Sequence, residues 1–169
     1  NDYELCLESA YGIPEFNQNE IKKARIIACP GCYPTSALIP LIPFMLQGII
    51  ETEGIIIDSK SGLSGGGRTP KEHLLFSEAG EGISAYGLLT HRHTSEIEQI
   101  LSYFSGLNIQ LLFTPHLIPI VRGMFSTIYG RLKDPGLTAD DCKILLDNFY
   151  RNYSNVKVLP VGTYPSSKW

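Results

Sequence analysis

Residues 26–37 run Ile26-Ile27-Ala28-Cys29-Pro30-Gly31-Cys32-Tyr33-Pro34-Thr35-Ser36-Ala37. The first four read as a short β-strand. Pro30-Gly31 breaks it, and the spacing predicts a helix from near Pro34, where proline in the first turn forfeits no hydrogen bond. That helix runs towards Gln47, with Pro40 and Pro43 expected to kink or break it. Cys32 therefore falls at a strand-to-helix turn. Helix N-termini carry unpaired N–H groups and about half a positive charge, a setting that lowers a thiol pKa and frees the thiolate. A thiolate there suits attack on an activated acyl group, because the resulting thioester accepts hydride well. A buried, inert cysteine is the competing reading of Cys32 taken alone.

Outward from this turn the elements are mixed. Ile55–Asp58 is an apolar β-branched run after Gly54 and reads as a buried strand. Ser61-Gly62-Leu63-Ser64-Gly65-Gly66-Gly67-Arg68 reads as a flexible loop, and Thr69-Pro70-Lys71-Glu72 as a capping box opening a short helix. Ser95 and Glu98 form a second box, with Ile97, Ile100, Leu101 and Phe104 on one helical face. Strands are expected at 109–114 and 123–132. Thr138 caps a helix whose face is Cys142, Leu145, Leu146, Phe149 and Tyr153, and a last strand is expected at 156–159. The elements do not alternate as regular βαβ units. The pattern favours an α+β fold, a mixed, mostly antiparallel sheet with helices on one face.

The 169 residues suffice for one domain with a real core, here 43% hydrophobic and 18% charged. A net charge of −3 and the lack of a basic run give no footprint for nucleic acid. The longest apolar stretch, Ala37 to Leu46, is about half of a membrane span and holds two prolines; neither a membrane partner nor a signal peptide is expected. The chain opens on Asn1 and reads as a piece of a longer protein. Its four cysteines, Cys6, Cys29, Cys32 and Cys142, suit reduced thiols in a cytoplasmic compartment better than a disulfide scaffold.

Other side chains can join Cys32. In an extended segment His91 and His93 of His91-Arg92-His93 would face the same way, and imidazole is the usual acid/base at neutral pH; an exposed polar turn is the alternative. The backbone of the Ser61–Arg68 loop can cradle phosphate or a cofactor, although the P-loop spacing is missing. Arg68, Arg92 and Arg122 can clamp an anion. Cys29 and Cys32 form a C-x-x-C, but a thioredoxin-like site wants a βαβ context and zinc wants two further ligands, so no metal is expected. His73 and His116 are expected to be structural or exposed.

Together the segments Tyr11-Gly12-Ile13-Pro14-Glu15, Pro30-Gly31-Cys32-Tyr33-Pro34-Thr35, Ser61-Gly62-Leu63-Ser64-Gly65, His91-Arg92-His93-Thr94 through Glu96-Ile97, Thr114-Pro115-His116-Leu117 and Arg122-Gly123-Met124 resemble the N-acetyl-gamma-glutamyl-phosphate reductases of the semialdehyde dehydrogenase group. They occur in family order across nearly the whole chain. The resemblance implies reduction of N-acetyl-glutamyl 5-phosphate to the 5-semialdehyde by NADPH, with release of phosphate, in arginine biosynthesis. Cys32 matches the nucleophile that forms the thioester, and His91 matches the acid/base, with His93 a close second. His93, Arg92, Arg68 and Arg122 are the residues expected on the substrate side, and the resemblance implies Ser61, Gly62, Ser64 and Gly65 near the cofactor. A homo-oligomer, dimer or tetramer, is implied as well.

The family's GxGxxG-bearing Rossmann domain has no counterpart here. Residues 1–169 thus resemble the catalytic and dimerisation domain alone, a relative of the C-terminal domain of glyceraldehyde-3-phosphate dehydrogenase, expected to bind NADP weakly or not at all and to be inactive in isolation. Cys29 stands where the family commonly has Asn, which raises the expectation of a Cys29–Cys32 disulfide trap. The alternatives are a carrier-protein-linked aminoadipyl-phosphate reductase, a domain without catalytic competence, and a thiol–disulfide oxidoreductase.

Overall fold

The structure, a computed structural model, describes residues 2–168. In chain order it forms α1 (Tyr3–Leu7), β1 (Ser9–Tyr11), α2 (Pro14–Lys23), β2 (Ile26–Ala28), α3 (Cys32–Leu46), β3 (Ile55–Ser61), α4 (Phe76–Ala79), β4 (Ser84–Ala85), α5 (Arg92–Ser105), β5 (Leu111–Leu117), β6 (Met124–Tyr129) and α6 (Ala139–Tyr150). Four strands make the main sheet in the order β4-β5-β3-β6. Two of its three pairings, β4–β5 and β3–β6, are antiparallel. The third, β3–β5, is parallel over all seven residues, from Ile55 beside Leu111 to Ser61 beside Leu117. The sheet is mixed and mostly antiparallel, as the pattern predicts.

Alternation decides which face is covered. Ile55, Ile57, Ser59 and Ser61 of β3 point inwards with Leu111, Phe113 and Leu117 of β5. Helices α3 and α5 lie together on this face, and Ala37, Leu38, Leu41, Ile42, Ile97 and Leu101 complete the core. The opposite face presents Ile56, Leu112 and Tyr129 in register, all partly exposed, beside Asp58, Lys60 and His116. His116 is therefore half-buried there, with Nδ1 3.1 Å from Asp58 Oδ1.

Helix α3 departs from expectation. It starts at Cys32 and runs through Pro40 and Pro43 to Leu46. Pro43 has no N–H for the carbonyl of Ile39 four residues earlier, and the Tyr150 hydroxyl of α6 donates to that carbonyl instead. Burial of Pro34, Leu38, Leu41, Ile42 and Pro43 on several sides of the helix outweighs the lost internal bonds.

Several local expectations are corrected. The Thr69 box does not form: residues 72–74 make a 3-10 turn after Lys71, with Leu74 drawn under Gly66, where an added Cβ would sit 2.5 Å from Leu74 Cδ1. Helix α5 begins before Ser95 because the His91 imidazole supplies the cap; Glu98 instead accepts the Leu111 N–H at 3.1 Å, tying α5 to β5. The expected long strand at 123–132 is β6 plus a bridge from Ile50 to Leu132. Residues 156–159 follow a turn and pair with no strand among the described residues. Thr138 does form a capping box with Asp141.

The β1–α2–β2 unit stands apart as a two-stranded parallel sheet. It leaves Ile26 and Ile27 40% and 48% exposed, so its apolar surface is poorly buried for a sheet of this size.

Candidate active site

Gly31 is the N-cap of α3, in an extended conformation (φ −64°, ψ 164°), and supplies no side chain to the cap. Its carbonyl accepts the Thr35 N–H at 3.0 Å. Pro34 lacks an N–H, and the N–H groups of Cys32 and Tyr33 find no acceptor among the described residues. The exposed Cys32 thiol thus sits beside two free backbone donors at the positive end of a fifteen-residue helix.

The neighbours of Cys32 in sequence carry it to the histidines. On one side, the His93 ring lies against Gly31: a Cβ built there would be 2.3 Å from His93 Nε2 and 2.7 Å from Cε1. Only glycine fits. On the other side, Tyr33 is 2% exposed, and its ring meets His91 edge-on at 5.7 Å, His93 at 5.9 Å and Phe113 at 5.1 Å between centroids. The structure so brings His91 and His93 to the two residues that flank Cys32.

The two imidazoles differ. His91 Nδ1 accepts the His93 N–H at 3.1 Å, which places the proton of the neutral ring on Nε2. His91 is only partly buried. Burial, then His93 and Arg92, hold its pKa below the ordinary value. His93 is 7% exposed, its Nδ1 is buried without a partner, and Nε2 faces Gly31. Burial lowers its pKa too, with Glu96 opposing and Arg92 assisting. The expectation of an extended segment is corrected: His91 is the cap and His93 lies inside the first turn of α5, with the two ring centroids 4.8 Å apart.

Glu96, on the same helix, is a residue whose role the sequence did not reveal. Its Oε1 accepts the Gly31 N–H at 3.0 Å and the Tyr11 hydroxyl at 2.7 Å. It staples the nucleophile turn and β1 to the histidine helix. Tyr33 and Tyr86 were likewise unmarked; their hydroxyls lie 2.8 Å apart. The i+3 spacing from His93 to Glu96 was the one available signal, since it puts both on one helical face.

The glycine-rich loop behaves differently from expectation. The N–H groups of Gly62, Leu63 and Ser64 donate to Gly123, Ile120 and Val121, and that of Gly65 to Gly62. The Gly62, Leu63 and Ser64 amides are thus paired with the 118–123 loop, and the Gly65 amide within its own turn. Gly62 packs there with no room for a side chain, as a Cβ would lie 2.8 Å from the Ile120 carbonyl oxygen. Ser61 is buried under α3 and donates to the Gly62 carbonyl at 3.0 Å. Arg68, Arg92 and Arg122 are exposed and form no ion pair among the described residues. No cluster of three metal-ligating side chains occurs among the described residues. Cys29 and Cys32 are free, and residues 29–31 between strand and helix neither turn nor bend.

Residues 32–169 match the family described as "Semialdehyde dehydrogenase, dimerisation domain". The chain is 71% identical over all 169 residues to the N-acetyl-gamma-glutamyl-phosphate reductase of Prochlorococcus marinus strain AS9601, covering 48% of that protein. It is 62% identical to the protein of the same name from strain MIT 9211, covering 47% of it. The chain thus spans about half the length of the curated relatives it matches. Among solved structures, aspartate semialdehyde dehydrogenase II complexed with ASA from Vibrio cholerae superposes with a TM-score of 0.68 over 98% of this chain and 54% of that one, at 13% identity. Aspartate semialdehyde dehydrogenase with NADP from Candida albicans gives a TM-score of 0.58 over 82% of this chain and 44% of that one, at 14% identity. These likenesses establish the fold. With the match beginning at the candidate nucleophile itself, the chain belongs to the semialdehyde dehydrogenase dimerisation-domain family.

Proposed function

We propose that this chain is the catalytic portion of an NADPH-dependent reductase that converts N-acetyl-glutamyl 5-phosphate to N-acetyl-glutamate 5-semialdehyde and phosphate. The observation that carries the reading is the Cys32 turn, with Gly31 under His93, Tyr33 under His91 and two free N–H donors at the helix start. The names of its relatives support the substrate.

The Cys32 thiolate attacks the acyl carbon, the bond from carbon to phosphate oxygen breaks, and a thioester forms. His91 takes the thiol proton and passes it to the departing phosphate. The Cys32 and Tyr33 N–H groups stabilise negative charge on the acyl oxygen. Hydride addition to the thioester then expels the thiolate and leaves the aldehyde; the thiolate recovers one proton from solvent through His91. Arg92, at the first turn of α5, and Arg68 and Arg122 supply positive charge for the substrate's anionic groups. The described residues do not fit a dinucleotide: the loop amides are paired and no Rossmann fingerprint is present. NADPH is assigned to a part of the protein outside these residues.

A homo-oligomer, dimer or tetramer, is supported by the family description and by the apolar row Ile56–Leu112–Tyr129 on the open sheet face. No helix among the described residues is long and apolar enough to cross a membrane, and four free cysteines suit the reducing cytoplasm.

The test uses the full-length enzyme. Phosphate-dependent reduction of NADP with N-acetyl-glutamate semialdehyde is measured with and without Cys32→Ser. We expect a loss on the order of 10⁴-fold or more. An unchanged rate overturns the assignment.

A further inference from the structure

We propose that the phenols of Tyr33 and Tyr86 form a positioning pair for His91, closing a ring of aromatic side chains that holds the imidazole in one orientation beside Cys32. The inference rests on the reading of His91 as the acid/base.

Four rings surround His91. Tyr33 meets it at 5.7 Å and 84°, Tyr86 at 5.5 Å and 67°, Phe113 at 5.3 Å and 84°, and His93 at 4.8 Å and 61°. Two come from fixed parts of the fold: Phe113 from the middle of β5 and His93 from the first turn of α5. The other two have separate origins, Tyr33 at the start of α3 and Tyr86 just past the edge strand β4. One contact joins them to each other, the 2.8 Å hydroxyl-to-hydroxyl bond.

The Tyr86 side is also built to press on the ring. Its N–H donates to the Pro115 carbonyl at 3.1 Å. The next residue, Gly87, takes a left-handed conformation (φ 57°), and a Cβ there would lie 3.1 Å from His91 Cδ2. The backbone at 86–87 is thereby folded against the imidazole.

A pair of phenols in such an apolar place adds little that phenylalanine would not, unless geometry is what they provide. A buried neutral hydrogen bond returns only a modest net stabilisation, so what this one adds is mainly geometric. The bond does fix two rings that arrive on different elements, and so fixes the plane of the imidazole between them. His91 is anchored at Nδ1 by the His93 N–H, which leaves Nε2 as its working atom; rotation of the ring is what the phenols restrain. Burial, the first cause of the lowered His91 pKa, is consistent with this enclosure.

The test compares Tyr33→Phe, Tyr86→Phe and the double variant in the full-length enzyme, each keeping the ring and deleting the hydroxyl. The expected loss in kcat/KM is about five- to tenfold in either single variant, the scale of one neutral hydrogen bond. The double variant should be no worse than the singles, because both remove the same bond. The acid limb of the pH profile should move to higher pH as water gains access to His91, and the thermal midpoint should change little. Multiplicative losses in the double variant, or losses that follow thermal stability with an unmoved pH profile, would overturn the proposal. His91→Asn separates the two readings. If His91→Asn retains full activity, the acid/base assignment fails. If it is inactive while both phenylalanine variants keep the wild-type rate and pH profile, only the positioning pair fails.

Discussion

Gly31→Ala is the substitution that most directly probes how the nucleophile turn is held. The new methyl carbon would lie 2.3 Å from His93 Nε2, 2.7 Å from Cε1 and 2.9 Å from Cδ2. Ordinary carbon contacts are about 3.5 Å, so the ring or the start of α3 must give way by about 1 Å. The His93 ring cannot swing aside cheaply, because it is buried and packed edge-on against Tyr33 and His91. Overpacking of this kind costs about 1–3 kcal/mol. The backbone itself sets no penalty: φ is −64°, which alanine adopts freely, and stiffening the unfolded chain returns about 0.4–1 kcal/mol. A net destabilisation of about 1–2 kcal/mol remains after these terms are combined. The catalytic effect should be larger, about 10²-fold in kcat/KM, since a shift of about 1 Å misplaces Cys32 relative to His91. The assay is steady-state kinetics and thermal melting of full-length Gly31→Ala, His93→Ala and the double variant. Removing the ring makes room for the methyl, so alanine at 31 should cost little in the His93→Ala background. Additive effects, or a Gly31→Ala enzyme with wild-type kinetics and melting, would refute the contact as the reason for glycine.

Acidification should destabilise the fold through the same two histidines. Their pKa values are lowered in the native state, so the unfolded chain binds more protons; the stability they contribute is complete above the unfolded value of about 6.5 and is lost as pH falls through the lowered native values. Melting between about pH 7 and 5 should therefore flatten in a His91→Gln, His93→Gln variant, and an equal slope would count against these two groups. Tyr150→Phe should cost about 1–3 kcal/mol by orphaning the Ile39 carbonyl, and adding Pro43→Ala, which restores an N–H to that carbonyl, should recover part of the lost melting temperature; no recovery would mean that the tyrosine acts in another way.

How much of this was legible in the sequence depends on whether the signal was local. The face of α5 is a local periodicity and appears as read, whereas Ile55–Asp58, read as a buried run, alternates within β3 and leaves Ile56 39% exposed. The Thr138 cap also appears as read, and the structure adds Asp141 as its reciprocal partner three residues on. The unbroken α3 was not legible, because the hydroxyl that completes it comes from Tyr150, 111 residues away. The seven-residue parallel pairing of β3 with β5 was hidden for a similar reason, since each strand alone reads the same in either direction. At the site, Cys32 could be read from its helix start and His91 from its motif. Their relation could not. It depends on Gly31 and Tyr33, whose ordinary appearance concealed contacts with α5 some sixty residues on. The glycine-rich loop erred in the opposite direction. It looked free because glycine amides are accessible in isolation, yet it pairs with residues 118–123.

Cys32 stands between two parts of the fold that differ in how well they bury their apolar surface. C-terminal to it lies the unit with its own core, in which α3 and α5 cover the sheet. N-terminal to it lies β1–α2–β2, a parallel pair with exposed Ile26 and Ile27 and little core of its own. Cys32, the proposed nucleophile, is the first residue of the family match and the first residue of α3, so it stands at the seam between the two. Glu96 bridges that seam. Its Oε1 holds Gly31 and Tyr11, one from the turn and one from β1, while its helix carries His91 at the cap. Any displacement of β1–α2–β2 relative to the sheet therefore acts on the carboxylate that fixes the N–H next to Cys32. A catalytic thiol at such a seam draws its acid/base partner and helix-end donors from one side. The strand that delivers it belongs to the other, and the Glu96 bonds, the Gly31–His93 contact and the packing of Tyr11, Ile13 and Phe16 on the core hold the register between them.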